Sequence, residues 1–363
     1  MTLKNLRSKF IISLLFGMAI AVGLMAYGDF SDIYGSLENF RWELMPLLLA
    51  LSLGNYLIRF VKWHFYLGQI GVHNVPKRDS FLAFFSGLGM VITPGKLGEW
   101  LKSYLVQEMH GVPFIRTAPI LLAERFTDAV ALLLLAGAGF FIFGEAWEVF
   151  VIVAVGSVIA MIVARHRPTM RAILRRAERL PVVSRFASQA EVFYDSTYIL
   201  FSPWSLIFTT ILSVVSWAGE VLAFYLVLVG LGQDGSWTLL VQAAFILPVA
   251  TLAGAIVLIA PGGMGVAEGG ITGLLQAIVE DMSKSTAALA TLIIRFTTLW
   301  FGVIVGLIAL AFTMRRLATA PPADQPLGVA LATGADSPPL IAASAEEREG
   351  QPAGGADQGE TLQ

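Results

Sequence analysis

Long apolar segments constrain the fold of this chain more than any other feature of its sequence. Several of them, beginning with residues 10–27, hold about 18 or more apolar residues, which is the length needed to cross the hydrocarbon core of a bilayer. Charged residues make up only 14% of the chain, whereas soluble domains carry about 25%. Mean hydropathy is +0.73. We therefore predict an all-α polytopic membrane protein.

The residue types behind most soluble enzyme chemistry are missing or scattered. The chain has no cysteine, which excludes disulfides, thiolate metal sites and a cysteine nucleophile. Its four histidines (His64, His73, His110 and His166) include no HxxxH pair. No GxSxG, HExxH, P-loop or GxGxxG motif is present. We predict no metal, no cofactor and no nucleic-acid partner, and we do not expect an enzyme.

Basic residues mark the cytoplasmic side of membrane spans. Three of them lie within the first ten residues, seven arginines lie between residues 165 and 185, and two follow the last span at 315–316. This pattern predicts about six full spans in an inner membrane, both termini in the cytoplasm and a basic cytoplasmic linker at 165–200. Residues 1–318 form the predicted membrane domain.

The composition changes after residue 318. Residues 319–363 are rich in Pro, Gly, Ala and acidic residues, with seven acids and one arginine. Such a segment has too little apolar surface to bury on folding. It is predicted to be a disordered acidic cytoplasmic tail.

Two segments interrupt the pattern of full spans. Residues 80–110 are broken at Pro94–Gly95, and residues 237–280 are broken at Pro261–Gly263. Neither half of the first segment spans comfortably, so it predicts a re-entrant hairpin from the cytoplasm. The second segment is entered from outside, and its first half is long enough to cross fully. Irregular backbone at membrane depth is tolerated only inside protein or beside a wet cavity, so both breaks should face the bundle interior.

Short matches around the two breaks indicate an internal repeat. VITPGKLGE ahead of RFTD corresponds to LIAPGGMGVAE ahead of RFTT, and FYL precedes both breaks. The first unit, about 44–143, begins and ends outside, and the second, about 204–314, begins and ends inside. Two re-entrant broken-helix hairpins in an inverted repeat are typical of secondary transporters with sites near the bilayer midplane. The alternative is that apolar helices resemble one another by composition alone.

The breaks have the chemistry of an anion site. A helix that restarts inside the membrane presents unpaired N–H groups and the positive end of its dipole, and both favour an anion. Glycines at 95, 262, 263 and 265 would let a phosphate approach the backbone, and Lys96 and Lys102 add cationic donors. Two readings of Glu99 and Glu268 stay open. Glu99 pairs with Lys102 or Lys96 while Glu268 caps its own helix, or one of them gates the site or exchanges a proton.

Other charges inside predicted spans need a partner or a function, because a charge at the bilayer centre costs about 2.5–3.5 kcal/mol on insertion scales. They are Glu124, Arg125, Asp128, Glu220 and Arg295. The group at 124–128 is expected either to tie its helix to the first hairpin through ion pairs or to belong to the site. Arg59 and Lys62 are expected either to reach the interface or to bind a head group.

The motifs TPGKLGEWLKSYLV, AERFTD and APGGMGVAEGG together resemble the transmembrane region of lysylphosphatidylglycerol synthases, the flippase-like domain family. The resemblance covers about residues 10–315. It implies lipid movement between leaflets, and the missing synthetase domain argues against lysyl transfer. The site positions that the resemblance implies are Thr93, Pro94, Gly95, Lys96, Gly98, Glu99, Arg125, Asp128, Pro261, Gly262, Gly263, Gly265 and Glu268. Lys102 and Arg295 complete the predicted substrate-binding set.

These features predict a flippase-like transporter that moves an anionic phospholipid or a polyprenyl-phosphate-linked lipid between leaflets. One alternative is a membrane-embedded lipid-modifying transferase that uses Glu99, Glu268 or Asp128 as a base. The other is a non-transporting accessory subunit of a lipid or glycan synthase. The sequence does not set the lipid, the direction of movement or the oligomeric state.

Overall fold

The computed structural model describes residues 3–93, 97–143, 147–168, 187–256 and 263–319, and these residues form helices and connecting turns without any strand. A 3₁₀ turn, Trp42–Leu44, precedes α3, and a π-helical turn, Phe296–Trp300, joins the last two helices. The helices are α1 (Leu3–Tyr27), α2 (Phe30–Glu38), α3 (Met45–Gln69), α4 (Lys77–Leu88), α5 (Leu97–His110), α6 (Phe114–Thr117), α7 (Pro119–Phe143), α8 (Trp147–Arg165), α9 (Ala187–Leu200), α10 (Pro203–Gly230), α11 (Trp237–Ile256), α12 (Val266–Ile278), α13 (Lys284–Arg295) and α14 (Phe301–Thr319).

Long apolar helices confirm the polytopic all-α membrane class. The segments that are long and apolar enough to cross a membrane are Phe10–Tyr27, Trp42–Gln69, Pro203–Gly230, Trp237–Ala255 and Lys284–Ala318. The 25 residues of α7 add a helix about 37 Å long at 1.5 Å per residue. The number of full spans and the inverted repeat remain predictions.

The first broken segment folds back on itself as α4 and α5. With 12 and 14 residues, these helices are about 18 and 21 Å long, shorter than a hydrocarbon core of about 30 Å. Gly98 lies directly against the preceding arm, because a Cβ placed there would be 2.3 Å from the carbonyl carbon of Met90. Only glycine fits at this crossing, and the lengths suit a re-entrant hairpin.

The second broken segment pairs a long helix with a short one. α11 has 20 residues and continues through Pro248, whereas α12 has 13. Gly263 precedes α12 with a φ of +71° and lies against the backbone of Gly254. A side chain is disfavoured there both by the left-handed backbone and by the lack of space. As expected, only the first half of this segment is long enough to cross.

We call the first broken segment, α4 and α5, the first elbow, and the second broken segment, α11 and α12, the second elbow. Described residues next to the two breaks belong to one buried apolar cluster. Ile92 of the first elbow and Met264 of the second share this cluster with Val303 of α14. Ile92 and Thr93 have no exposed surface. The described residues that flank the two breaks therefore lie in the interior of the bundle, in one cluster with the same helix.

Helices α3 and α10 form the centre of the packing between the two predicted repeats. Asn55 Nδ2 donates to the Ser216 carbonyl at 3.0 Å, and the Tyr66 hydroxyl donates to Thr209 Oγ1 at 2.9 Å. Because residue numbers rise along α3 as they fall along α10, the two helices run antiparallel. This direction is the one that an inverted repeat requires of two corresponding helices.

Several predicted features lie outside the described residues. They are Pro94, Gly95, Lys96, Pro261, Gly262, most of the arginine-rich segment and the acidic tail from residue 320. The last part of the predicted linker forms α9.

Candidate functional site

The described interior of the bundle contains equal numbers of acidic and basic side chains near the elbows, which we call the charged core. Its members come from α3, α5, α7, α10, α12 and α13. Charges in a low-dielectric interior are stable only when they are paired or hydrogen-bonded. The charged core consists of Arg59, Lys62, Lys102, Arg125, Arg295, Glu99, Glu124, Asp128, Glu220 and Glu268.

Asp128 of α7 has the largest number of charged partners. Lys62 Nζ donates to Asp128 Oδ1 at 2.5 Å, and Arg125 Nη2 lies 2.9 Å from Asp128 Oδ2. Arg59 Nη2 is 3.7 Å from the same oxygen, and the Ser213 hydroxyl donates to Oδ1 at 3.0 Å. One carboxylate thus faces three cations, so this part of the charged core is locally positive.

Two ion pairs join the first elbow to α7. Lys102 Nζ donates to Glu124 Oε2 and also lies 4.5 Å from the centre of the Trp63 indole. Arg125 Nε lies 3.4 Å from Glu99 Oε2. Glu99 therefore pairs with Arg125 and not with Lys102, whereas Lys96, the other expected partner, lies outside the described residues. The ammonium of Lys102 is already engaged by Glu124 in this conformation.

The second elbow contains one ion pair. The Gly265 N–H donates to Glu268 Oε2 at 2.5 Å, and Arg295 Nε donates to Glu268 Oε1 at 2.6 Å. The predicted capping role of Glu268 is confirmed. Its second oxygen ties the restarted helix α12 to Arg295 at the end of α13.

A glutamate–arginine pair is therefore common to both elbows. Glu99 pairs with Arg125 in the first, and Glu268 pairs with Arg295 in the second. In each case the glutamate lies in the first turn of a restarted helix and the arginine in the next long helix. The sequence matches around RFTD and RFTT correspond to this shared contact.

Glu220, in the middle of α10, differs from the other carboxylates of the charged core. It is 7% exposed. Among the described residues it has neither a hydrogen bond nor an ion pair. It interacts electrostatically with Arg59, Asp128 and Arg295. These groups belong to both predicted repeats, so Glu220 interacts with both parts of the charged core.

Three arginines of the charged core keep N–H donors without a described hydrogen-bond partner. Arg125 Nε and Arg295 Nη2 are buried and unsatisfied, and the approach of Arg59 to Asp128 at 3.7 Å exceeds hydrogen-bonding distance. A buried unsatisfied donor costs about 1–3 kcal/mol. The planar guanidinium matches phosphate in a two-pronged geometry, so an entering phosphate would satisfy these donors.

The remaining described members of the predicted set have structural contacts. The Thr93 hydroxyl donates to the Met90 carbonyl at 2.6 Å. Gly98 and Gly263 allow the close crossings of the two elbows, and Gly265 precedes α12.

Lys62 and Arg59 belong to the charged core, although two roles were open for them from the sequence. Lys62 is 1% exposed, so it does not extend to the membrane interface as one expectation held. Their spacing of one helical turn was the available signal. The partner, Asp128, lies on another helix, and no local pattern identifies it.

An apolar groove of about 420 Å³ lies between α7, α8 and α10. One of its lining residues, Phe126, follows Arg125 in the chain. The side chains that line it, apart from Thr210, are apolar: Phe126, Val130, Leu133, Leu134, Ala154, Val158, Met161, Leu206, Ile207 and Ile211. Its chemistry suits a hydrocarbon chain.

Comparison with known proteins agrees with this architecture. A family profile described as the lysylphosphatidylglycerol synthase TM region matches residues 11–306. A UPF0104 membrane protein of Methanothermobacter thermautotrophicus is 25% identical over 291 residues, which cover 74% of this chain and 82% of the relative.

Proposed function

The chain belongs to the family of the lysylphosphatidylglycerol synthase transmembrane region, and from this premise we propose that it moves an anionic lipid between membrane leaflets. The proposed substrate is a phospholipid or a polyprenyl-phosphate-linked lipid. Its head group enters the charged core, and its tails stay in surrounding hydrocarbon. The proposed partner is therefore the lipid itself, with a lipid or glycan synthase as a further candidate.

The main observation that supports this proposal is that the two elbows approach each other. Ile92 and Met264 share one buried cluster, and each elbow contains a glutamate–arginine pair. Transporters built from inverted repeats bind substrate where broken helices approach each other near the midplane. Two structurally similar elbows that approach one another suit a site that opens to each side in turn.

Unused arginine donors support a phosphate as the bound group. Arg59, Arg125 and Arg295 lie on three different helices, and each has N–H capacity that its described partners leave open. A phosphate held by two of them would gain hydrogen bonds that are shorter and stronger than those between neutral groups. The groove beside Phe126 offers an apolar path for an attached chain.

Lipid movement by the purified protein alone tests the proposal. Vesicles of phosphatidylcholine would contain the full chain and a trace of fluorescent phosphatidylglycerol, and a membrane-impermeant reductant would report the probe in the outer leaflet. We expect exchange between leaflets well above that in empty vesicles. Arg125→Gln should slow it, whereas Glu280→Gln, an exposed position, should leave it unchanged. Exchange no faster than in empty vesicles would contradict transport by this chain.

Two further arms separate the alternatives. Competition by glycerol 1-phosphate distinguishes recognition of a free phosphate from recognition of a lipid, because a lipid site binds the soluble head group only weakly. Mass spectrometry of the vesicle lipids would reveal a modified product if the chain were a transferase. Activity that appears only with a synthase present would favour the accessory role.

The orientation is part of the same proposal. We place the protein in the inner membrane with both termini in the cytoplasm, because basic residues favour that side. A reporter enzyme that is active only in the cytoplasm, fused after residue 363, should be active. Activity only with an external reporter would reverse the assignment.

A further inference from the structure

Glu220 is a buried carboxylate that the proposed head-group site does not use. It lies in the middle of α10 and has no hydrogen bond or ion pair with another described residue. Every other acidic member of the charged core contacts a cation. An unpaired carboxylate in a membrane interior is unfavourable when ionised, which marks it as a group that can bind a proton.

The groups around Glu220 come from both predicted repeats. Tyr56 and Arg59 of α3, Asp128 of α7 and Arg295 of α13 interact with it electrostatically. The Tyr56 hydroxyl already donates to the Thr298 carbonyl at 2.7 Å.

In the described chain, no titratable group forms a hydrogen bond or an ion pair with Glu220. α11 carries no charged residue, and the 3₁₀ turn contacts the far end of α10, at Gly230. Residues 257–262 contain no titratable side chain, and Lys96 lies outside the described residues. Glu220 is therefore the carboxylate whose charge the surroundings leave least compensated.

The net charge of the charged core indicates how this carboxylate could respond to an anionic head group. Its five basic and five acidic members cancel when all are ionised. A head group with one negative charge would add an excess negative charge to these described members, and burying an uncompensated charge costs several kcal/mol. Protonation of Glu220 restores the balance, and it removes a competing negative charge from the surroundings of Arg59 and Arg295.

We propose that Glu220 takes up one proton when an anionic head group enters the charged core, so that lipid and proton move together. This inference rests on the proposed function and adds an ion that couples to it. The proton comes from water on the side where the lipid enters and returns to water where it leaves. No covalent bond is made or broken. A bound anion favours protonated Glu220, and protonated Glu220 favours the anion to the same extent.

Calorimetry on the purified full chain measures this coupling directly. Dioctanoyl phosphatidylglycerol would be titrated into the detergent-solubilised protein at pH 7 in two buffers with different ionisation enthalpies. The difference in heat between the buffers gives the number of protons taken up per lipid bound. We expect about one proton. We also expect affinity to rise as pH falls, by up to about tenfold per pH unit, which is the limit for one linked proton.

Two variants and one control assign the proton to Glu220. Glu220→Gln should bind the same lipid with no proton uptake and no pH dependence, and Glu220→Asp should retain both. Glu280→Gln, which changes an exposed acid outside the charged core, should match the unmodified protein. If Glu220→Gln does not fold, the number of protons taken up by the unmodified chain and by Glu220→Asp still tests the proposed coupling.

The outcomes separate this inference from the proposed function. Lipid binding with no proton uptake, or uptake that persists in Glu220→Gln, would overturn the proton site and leave lipid binding intact. Absence of any binding by the unmodified protein would instead contradict the proposed function itself, and with it the coupling.

Discussion

The two elbows contain the same glutamate–arginine pair but differ in the charges around it. In the first, Lys102 and Glu124 form a second pair next to Glu99 and Arg125. At the corresponding positions of the second elbow the matched sequences have Ile271 and Ile294, which are buried in the largest apolar cluster. Asp128 corresponds to Thr298 in the same comparison.

Two matched threonines have the same local hydrogen bond. Thr127 follows Arg125 by two residues and donates to the Ala123 carbonyl at 2.9 Å. Thr297 follows Arg295 by two residues and donates to the Ile293 carbonyl at 3.2 Å. Both side chains are fully buried. Other helical threonines of this chain make the same bond, so the correspondence of the two stretches stays a prediction from the sequence match.

The difference between the elbows indicates which charges the structure of a broken-helix elbow requires and which are additional. Because Glu268 and Arg295 suffice in the second elbow, the extra ions of the first are not required to restart a helix. The shared pair is also looser in the first elbow, at 3.4 Å against 2.6 Å, and Arg125 is 31% exposed against 16% for Arg295. The first elbow is thus the one whose arginine a ligand can reach more readily.

Of the substitutions that distinguish the two elbows, loss of the Asp128 carboxylate should lower stability the most. Asp128→Ala leaves Lys62, Arg125 and Arg59 without their shared carboxylate, and an unpaired buried charge costs about 3–5 kcal/mol. We expect a strongly lowered unfolding midpoint in detergent. Thr298→Ala, at the corresponding position of the second elbow, should change it much less. Equal effects of the two substitutions would show that Asp128 is not the centre of the first group.

Converting the first elbow to the apolar pattern of the second tests whether its extra pair is structural. Lys102→Ile alone should cost about 3 kcal/mol because it strands Glu124. The double variant Lys102→Ile with Glu124→Ile should recover most of that loss, since apolar replacement of a buried pair is often neutral. Unfolding midpoints of both singles and the double give the coupling energy. A double variant no more stable than Lys102→Ile would mean that the pair does not act as a unit.

Replacement of each arginine by lysine tests whether a ligand reaches Arg125 more readily than Arg295. Lysine keeps the charge but cannot bind a phosphate in two-pronged fashion. Arg125→Lys should slow phosphatidylglycerol exchange about tenfold, the equivalent of about 1.4 kcal/mol, and Arg295→Lys about threefold. Initial exchange rates in vesicles measure both. A larger effect at Arg295 would reverse the assignment of the more accessible elbow.

The smallest expected effect concerns the π-helical turn, a feature of the second half alone. α7 runs as an α-helix past Asp128, whereas Phe296–Trp300 widens after Arg295. Tyr56 donates to the Thr298 carbonyl in that turn. Tyr56→Phe removes one hydrogen bond and should cost about 1 kcal/mol, seen as a small drop in the unfolding midpoint. A midpoint equal to that of the unmodified chain would show that the turn does not depend on Tyr56.

Local signals in the sequence were sufficient to predict where the helices are interrupted. Pro94–Gly95 and Pro261–Gly263 predicted interruptions, and the helices end at Leu88 and Ile256 and resume at Leu97 and Val266. Pro and Gly oppose a helix wherever they occur, so this prediction needs no distant contact. The RFTD and RFTT matches likewise marked the arginines that face both glutamates.

Apolar length and backbone preference are properties of neighbouring residues, so they were sufficient to predict a helical membrane protein and the places where its helices break. Which charges meet depends instead on how distant segments pack. Lys62 and Asp128 lie 66 positions apart, and Lys102 and Glu124 lie 22 apart. Their pairing follows from how α3, α5 and α7 pack. The same packing leaves Glu220 of α10 buried without a hydrogen bond or ion pair to another described residue.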